Sequence, residues 1–207
     1  MNLSEFLDGT VAEKAYFAPV FGAVECAGLE CLSLEVSGRP LPAVAFAQIA
    51  SSVNSANTNE ANNTGAGVGS LTIPANYFVD GSTGTLEMSG VVSAVGGETL
   101  TLRLYAGVGG FVQIGSVAIV VPASTAKGFT AKFGFIVRAD GIAGVASMST
   151  AGQYQQGRNA DLVRSAGDGY TLNVTTFATT VVNQFALTSQ WSAATASITV
   201  QNLVLTV

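Results

Sequence analysis

Residues 128–139 read GFTAKFGFIVRA, and apolar and polar side chains alternate along them. Successive side chains of a β-strand point to opposite faces, so this two-residue period predicts a strand with one face on a core. Antiparallel sheets with one solvated face are built from such strands. The outward residues are predicted to be Thr130, Lys132 and Arg138. The inward residues are predicted to be Phe129, Ala131, Phe133, Phe135 and Val137.

The same period recurs from Gly67 onward. Residues 99–106 read TLTLRLYA and place Leu100, Leu102 and Leu104 on one face. About eight short, evenly spaced strands predict an all-β antiparallel sandwich or barrel. The further strands are predicted near residues 68–73, 85–95, 112–121, 142–150, 170–177, 184–191 and 196–206. The turns between strands are predicted at Asp80-Gly81, Gly96-Gly97, Gly109-Gly110, Asp140-Gly141 and Asp168-Gly169.

Two of the predicted strands change phase part-way along. In residues 112–121 the inward set begins at Val112 and changes parity at Gly115. In residues 196–206 the parity changes at Gln201-Asn202. One extra residue at each point would form a β-bulge, which bends a strand as two curved, packed sheets require.

The closing run, residues 185–207, reads FALTSQWSAATASITVQNLVLTV. It predicts a hairpin in which FALTSQWS pairs with SITVQNLVLTV across the turn Ala193-Ala194-Thr195. Trp191, at the end of the first strand, is expected to fill the core or an interface rather than to bind a ligand.

The beginning of the chain is less regular, although residues 20–36 and 42–49 alternate in the manner of strands. Residues 1–50 are interpreted as an N-terminal arm or capping segment, and 51–66, rich in Asn, Ser and Thr, as a long loop. The β-sandwich domain is then 67–207. Four aromatic residues of the arm would either cap the domain's own core or contact a neighbouring subunit, because aromatic residues are enriched at interface cores. These candidate assembly contacts are Phe6, Tyr16, Phe17 and Phe21.

The composition narrows the choice of partners. Only 10% of the residues are charged, the net charge is −5, and the eight Lys and Arg residues are scattered. Nucleic acid is therefore not an expected partner, since phosphate binding needs a clustered basic surface. No apolar run is long enough to span a membrane, and residues 1–14 lack the features of a signal peptide. A chain with so few charges is expected to bury surface against other subunits.

The residues that usually carry catalysis are sparse. The chain has no His, so neither a Ser-His-Asp nor a Cys-His arrangement can form. Cys26 and Cys31 are too few for a closed zinc site; they either form a disulfide or are buried thiols, and buried thiols are favoured. We expect no enzyme activity, metal or cofactor. A glycosidase needs a pair of carboxylates, but most of the five candidates lie beside turn glycines and are expected to form turns. The candidates are Glu87, Glu98, Asp140, Asp161 and Asp168.

A polar segment near the middle of the domain is the remaining candidate for contact. It is predicted to be an exposed loop, which is either simply solvated or in contact with a sugar or a partner. Its residues are Tyr154, Gln155, Gln156, Arg158 and Asn159.

The order of five segments resembles a β-domain found among virion structural proteins of tailed bacteriophages. The resemblance covers residues 50–207 and includes the ending "TxQWSAA…ITxxNLxL", which in those proteins closes a jelly-roll-like sandwich. This chain lacks a second Asn before the "IT" pair, which predicts a shorter last hairpin. The segments are GSLTIPANYF, GTLEMSGVV, TLTLRLYAG, FTAKFGFIVRADGIAGVASM and NQFALTSQWSAATASITVQNLVLTV.

The resemblance implies a bacteriophage structural protein with a jelly-roll-like antiparallel β-sandwich. We expect a capsid decoration, or cement, protein on the outer surface of the virion. It would form a homo-oligomer, with a trimer favoured, and bind the major capsid protein or other virion subunits. The alternative is a tail or fibre module that adheres to host-surface glycan through an exposed groove lined with aromatics.

Overall fold

The chain divides into two compact units, Met1–Leu41 and Pro42–Val207. In the first unit the described residues form an antiparallel pair of strands, β1 (Glu35–Val36) and β2 (Arg39–Pro40). The described part of the chain contains no helix that could cross a membrane. The computed structural model describes residues 35–36, 39–40, 43–107, 112–141, 146–157 and 169–207, with side chains from 43 onward except at 146–148.

The second unit is built from two antiparallel sheets. One sheet has the order β13-β12-β11-β8-β15-β3-β6, with β4 also paired to β15. The other has the order β10-β9-β14-β5, with β7 also paired to β14. The strands are β3 (Val44–Gln48), β4 (Ser52–Ser55), β5 (Ala61–Asn62), β6 (Gly67–Gly69), β7 (Thr72–Ile73), β8 (Thr83–Ala94), β9 (Glu98–Gly107), β10 (Val112–Val121), β11 (Ser124–Ala139), β12 (Ala146–Gln156), β13 (Gly169–Phe177), β14 (Asn183–Trp191) and β15 (Ser197–Thr206).

The predicted fold class is confirmed: the protein is all-β, with antiparallel sheets in a sandwich-like arrangement. Within the described residues, the eight strands from β8 to β15 are each nine residues or longer, longer than the short strands expected, and shorter strands precede them. The pairing is nested as in a jelly roll, since β15 pairs with β8, β14 with β9, and β12 with β11.

The core lies where the sequence period placed it. Leu100, Leu102 and Leu104 are fully buried, whereas Lys132 and Arg138 are exposed. The inward residues of β11 are all at most 4% exposed, which confirms the predicted face of that strand. They are Phe129, Ala131, Phe133, Phe135 and Val137.

Both predicted bulges are confirmed. The register of β10 against β9 shifts between Gln113 and Gly115, and that of β15 against β8 shifts between Val200 and Asn202. Val112, however, is 40% exposed, so its inward assignment was wrong. Val112 is the first residue of β10 and precedes the bulge.

The predicted hairpin at the end of the chain is wrong. β14 pairs with β9, and β15 pairs with β8, so the two strands lie in different sheets. Two-residue hairpin turns need a positive φ that Gly, Asn or Asp supplies, and the connection Ser192-Ala193-Ala194-Thr195-Ala196 has none of these residues. Each strand instead forms a ladder of eight or more residue pairs with a strand distant in sequence.

The sandwich begins earlier than the predicted boundary at residue 67. β3 and β4 pair with β15, within the segments assigned to the arm and the loop. Asn54 on β4 donates from Nδ2 to the carbonyl and hydroxyl oxygens of Ser189 on β14, at 3.1 and 3.0 Å. The Ser189 hydroxyl donates to Asn63 Oδ1 at 3.2 Å. Residues 51–66, predicted to be a long loop, therefore join the two sheets through a buried polar network.

Glu98 links two connections that change sheets at the same end of the sandwich. Its Oε2 accepts from the Gly96 N–H at 2.6 Å, in the β8–β9 connection. Its Oε1 accepts from the Thr195 hydroxyl at 2.8 Å, in the β14–β15 connection, and from the Val95 N–H at 3.2 Å. The carboxylate, only 7% exposed, therefore holds both connections together.

These hydrogen bonds make stability depend on pH. The Gly96 N–H, followed by the Thr195 hydroxyl, holds the pKa of Glu98 below its ordinary value of 4.5. A depressed folded-state pKa stabilises the fold above the unfolded-state value, and this contribution is lost as the pH falls through the folded-state pKa. We expect Glu98→Gln to be less stable than the wild type near neutral pH, by a difference that shrinks below pH 4.5. Urea unfolding across a pH series measures it, and a difference independent of pH would contradict the prediction.

Candidate functional site

The outer face of the five-stranded sheet carries a cleft of about 530 Å³, which we call the Tyr105 cleft. This volume lies within the range of small-ligand sites, about 300–1,000 Å³. The lining residues are Glu60, Asn62, Thr64, Leu71, Tyr105, Gln184, Phe185, Ala186 and Thr188.

Strand register explains how the cleft forms. Tyr105 on β9 lies opposite Ala186 on β14, and Arg103 lies opposite Thr188. Side chains of directly paired residues share a face, so all four project from the same side of the sheet. Because Ala186 has only a methyl group, space is left beside the Tyr105 ring.

Glu60 closes one side of the cleft. Its Oε2 lies 3.2 Å from Arg103 Nη1, and its Oε1 accepts a hydrogen bond from the Thr188 hydroxyl. Tyr105 also hydrogen-bonds to Glu60. The segment that carries Glu60 is held to the sheet by Gln190 Nε2, which donates to the Thr58 carbonyl oxygen at 3.1 Å.

The Tyr105 phenol is kept protonated. Burial raises its pKa above the ordinary value of 10, and the hydrogen bond to Glu60 and the charge of Glu60 raise it further. Its hydroxyl is therefore a donor at neutral pH. The cleft combines a half-buried aromatic ring with hydroxyl, amide and carboxylate groups, which can hydrogen-bond a polyhydroxylated ligand lying on the ring.

A second, smaller depression of about 340 Å³ lies on the outer face of the eight-stranded sheet. Its floor includes the Lys132–Glu87 ion pair, whose side chains are 48% and 55% exposed. Asn202 Nδ2 donates to the Ser89 hydroxyl at 3.1 Å beside it. Among the described lining residues the sole aromatic is Tyr154, whose ring is buried in the core, so this surface offers polar groups without an exposed ring.

The residues predicted from sequence do not form the Tyr105 cleft. Gln155 is exposed, but Tyr154 and Gln156 belong to β12 and point into the core, so their assignment to an exposed loop was wrong. Tyr154 stacks on Phe129 with ring centroids 5.6 Å apart, and its hydroxyl donates to Gln156 Oε1 at 3.1 Å. β12 is paired with β11, and its side chains alternate between the core and the solvent as those of β11 do. Tyr154 and Gln156 therefore point inward and Gln155 points outward. Outside the described residues lie Phe6, Tyr16, Phe17, Phe21, Cys26, Cys31, Arg158, Asn159, Asp161 and Asp168.

The acidic candidates that can be described have separate partners. Glu87 pairs with Lys132, and Glu98 accepts hydrogen bonds from the two connections. Asp140 is exposed, and its N–H donates to Asp80 Oδ1. No group of three or more His, Cys, Asp or Glu side chains that could hold a metal ion occurs within the described ranges.

Comparisons with known proteins found one similar solved structure and no matching family. No protein-family model matches the chain, and no curated protein matches it. One similar solved structure is the CBM2 module of the evolved Dit of Lactobacillus casei BL23 phage J-1. That match has 16% sequence identity and a TM-score of 0.30, and it covers 65% of this chain and 66% of that one, just under two thirds. This likeness carries no weight in assigning a function to the cleft.

Proposed function

We propose that this protein is a structural module of a phage virion that adheres to a saccharide on the host surface. The phage assignment rests on the sequence resemblance of residues 50–207. The saccharide assignment rests on one observation: the Tyr105 cleft places an aromatic ring among side chains that donate and accept hydrogen bonds. This arrangement favours the tail or fibre alternative over capsid decoration.

The chemistry of the cleft suits a sugar ring. A pyranose has an apolar C–H face that packs on an aromatic ring, and hydroxyl groups at its rim that need both donors and acceptors. Tyr105 supplies the aromatic ring. Asn62 and Gln184 supply side-chain amides, which can both donate and accept hydrogen bonds. The cleft volume of about 530 Å³ lies in the range of known ligand sites.

The proposed activity is binding without turnover. Glycoside hydrolysis needs two carboxyl groups about 5–9.5 Å apart. Among the described residues that line the cleft, Glu60 is the one carboxylate, and Arg103, Thr188 and Tyr105 engage it. Incubation with a bound glycan should release no reducing ends.

Capsid decoration remains a prediction of the sequence. Assembly as a trimer, and binding to the major capsid protein or to other virion subunits, remain predictions too. Sedimentation of the purified protein measures its oligomeric state. Thermal melting of capsids with and without the protein measures decoration, because a protein that binds only the assembled shell raises its melting temperature.

Truncating the ring tests the saccharide proposal. We expect Tyr105→Ala to weaken binding of the best ligand from a bacterial surface-glycan array by about tenfold or more, since Tyr residues are frequent binding hot spots. Tyr105→Phe keeps the ring but removes the hydroxyl, and it should lose less affinity than Tyr105→Ala. Isothermal titration calorimetry measures each dissociation constant.

The matched control is Tyr170→Ala. Tyr170 is 63% exposed on the other sheet, in β13, so the same truncation there should leave glycan affinity unchanged. Equal losses for the two alanine variants, or an array on which the wild type binds nothing, would refute the proposal.

A further inference from the structure

Two donors that line the Tyr105 cleft and the neighbouring guanidinium of Arg103 converge on one carboxylate. Arg103 and Tyr105 come from β9, and Thr188 comes from the paired position on β14. All three engage Glu60. A guanidinium and two hydroxyls around a shared point form a receptor for a carboxylate, which the chain's own Glu60 fills.

The receptor and its occupant differ in how firmly the fold holds them. The donors stand on β9 and β14, which pair over eight residues. Glu60 immediately precedes β5, which has two residues, and its side chain is 33% exposed. The buried network at Asn63 anchors the chain beyond β5. Rotation of the Glu60 side chain toward solvent would therefore expose the donors without breaking a long ladder.

The ion pair leaves part of the guanidinium unsatisfied. Arg103 Nη1 lies 3.2 Å from Glu60 Oε2, yet it is buried and makes no hydrogen bond of acceptable geometry. A buried donor without an acceptor is costly. A carboxylate that approached the fork of the guanidinium could accept two parallel hydrogen bonds, the geometry that arginine favours.

We infer that the Tyr105 cleft takes an acidic saccharide, of the uronate or sialate class, whose carboxylate replaces that of Glu60 on Arg103, Thr188 and Tyr105. This inference rests on the proposed saccharide-binding function and specifies its ligand. The sugar ring lies beside Tyr105, and its hydroxyl groups face the amides of Asn62 and Gln184. Glu60 competes with the ligand for the receptor and lowers the affinity of the wild type.

The test compares an oligosaccharide that contains glucuronate with the same oligosaccharide after reduction of its carboxylates to alcohols. We expect Glu60→Gln to bind the acidic form about tenfold more tightly than the wild type does, because hydrogen bonds to charged groups are strong. Its affinity for the reduced form should change less than about twofold. Adding Thr188→Val to Glu60→Gln should remove part of the gain.

The matched control is Glu87→Gln. Like Glu60→Gln, it removes one negative charge from an ion pair, but this pair is more exposed and lies on the other sheet. If Glu87→Gln raises the affinity for the acidic oligosaccharide as much as Glu60→Gln does, the gain comes from the change in net charge and the inference fails. A melting curve of each variant verifies that it folds, and Glu60→Ala provides a second removal of the carboxylate.

The remaining outcomes separate this inference from the proposed function. If Glu60→Gln gains the same affinity for the acidic and the reduced oligosaccharide, the inference is overturned, but the proposed saccharide adhesion is not. Binding of neither form by any variant, with an empty glycan array, would overturn both. An equal gain for poly-glutamate would assign the receptor to a peptide carboxylate and overturn the saccharide class.

Discussion

Replacing Gly90 by Ala is expected to lower the free energy of unfolding by about 3 kcal/mol, the upper end for overpacking a core. Gly90 lies on β8 opposite the bulge of β15, paired with Val200. A Cβ at Gly90 would overlap the Thr199 carbonyl oxygen and lie 3.1 Å from the Gln201 nitrogen. Both are backbone atoms of the bulged strand, so the ladder itself must move.

Gly128→Ala is the control for this substitution. Gly128 lies on β11, paired with Val91, and a Cβ there meets no heavy atom within 4 Å. Alanine at such a position restricts the unfolded chain and is expected to be neutral or to stabilise by about 0.5 kcal/mol. Urea unfolding gives both values. Similar stabilities of the two variants would show that the bulge does not need a glycine opposite it.

Phe78→Ala is expected to cost about 4 kcal/mol, as for other large core aromatics. Phe78 is 2% exposed and contacts four other aromatic rings edge-on, with centroid distances of 5.4–6.0 Å. The loss combines burial with these ring contacts, each worth about 0.5–1.5 kcal/mol beyond area. The four rings are those of Tyr77, Phe135, Phe177 and Phe185.

Two further variants separate the parts of this cost. Phe78→Leu loses the ring contacts but keeps most of the buried apolar surface, so it is expected to cost less than Phe78→Ala. Val79→Ala, at a neighbouring position that is 44% exposed, should change stability by less than about 0.5 kcal/mol. A full-size loss in Phe78→Leu would show that ring geometry, and not burial, dominates this cluster.

Strands and bulges could be predicted because their signals are local. The alternation around Phe133 and Leu102 identified the buried faces, and the parity change at Gly115 identified a bulge. Each signal lies within a few residues, where the two-residue period is visible.

Strand pairing could not be predicted in the same way. Nothing near Trp191 shows that β14 pairs with β9. Several strands have the same alternating pattern, so the pattern does not indicate which of them is the partner. The segment 51–66 was interpreted from its composition alone, and the buried bonds of Asn54 and Asn63 depend on Ser189, far along the chain.

The Tyr105 cleft was missed for a related reason. The two-residue period of residues 99–106 places Arg103 and Tyr105 on the face opposite the leucines and says nothing more about them. Their meeting with Glu60 and Thr188 depends on tertiary pairing, so the one available signal was an arginine and a tyrosine two positions apart on a solvent face.

The nested pairing of β8 with β15 and of β9 with β14 governs the order in which the protein can fold. The central ladder of each sheet must await synthesis of residues 183–206, so a ribosome-bound chain lacking them exposes two unfinished sheet edges. Closing such distant contacts is entropically slow, and proteins dominated by them fold in milliseconds to seconds. A chaperone that shields the nascent edges would therefore raise the yield of folded protein more than it would for a sheet of successive hairpins.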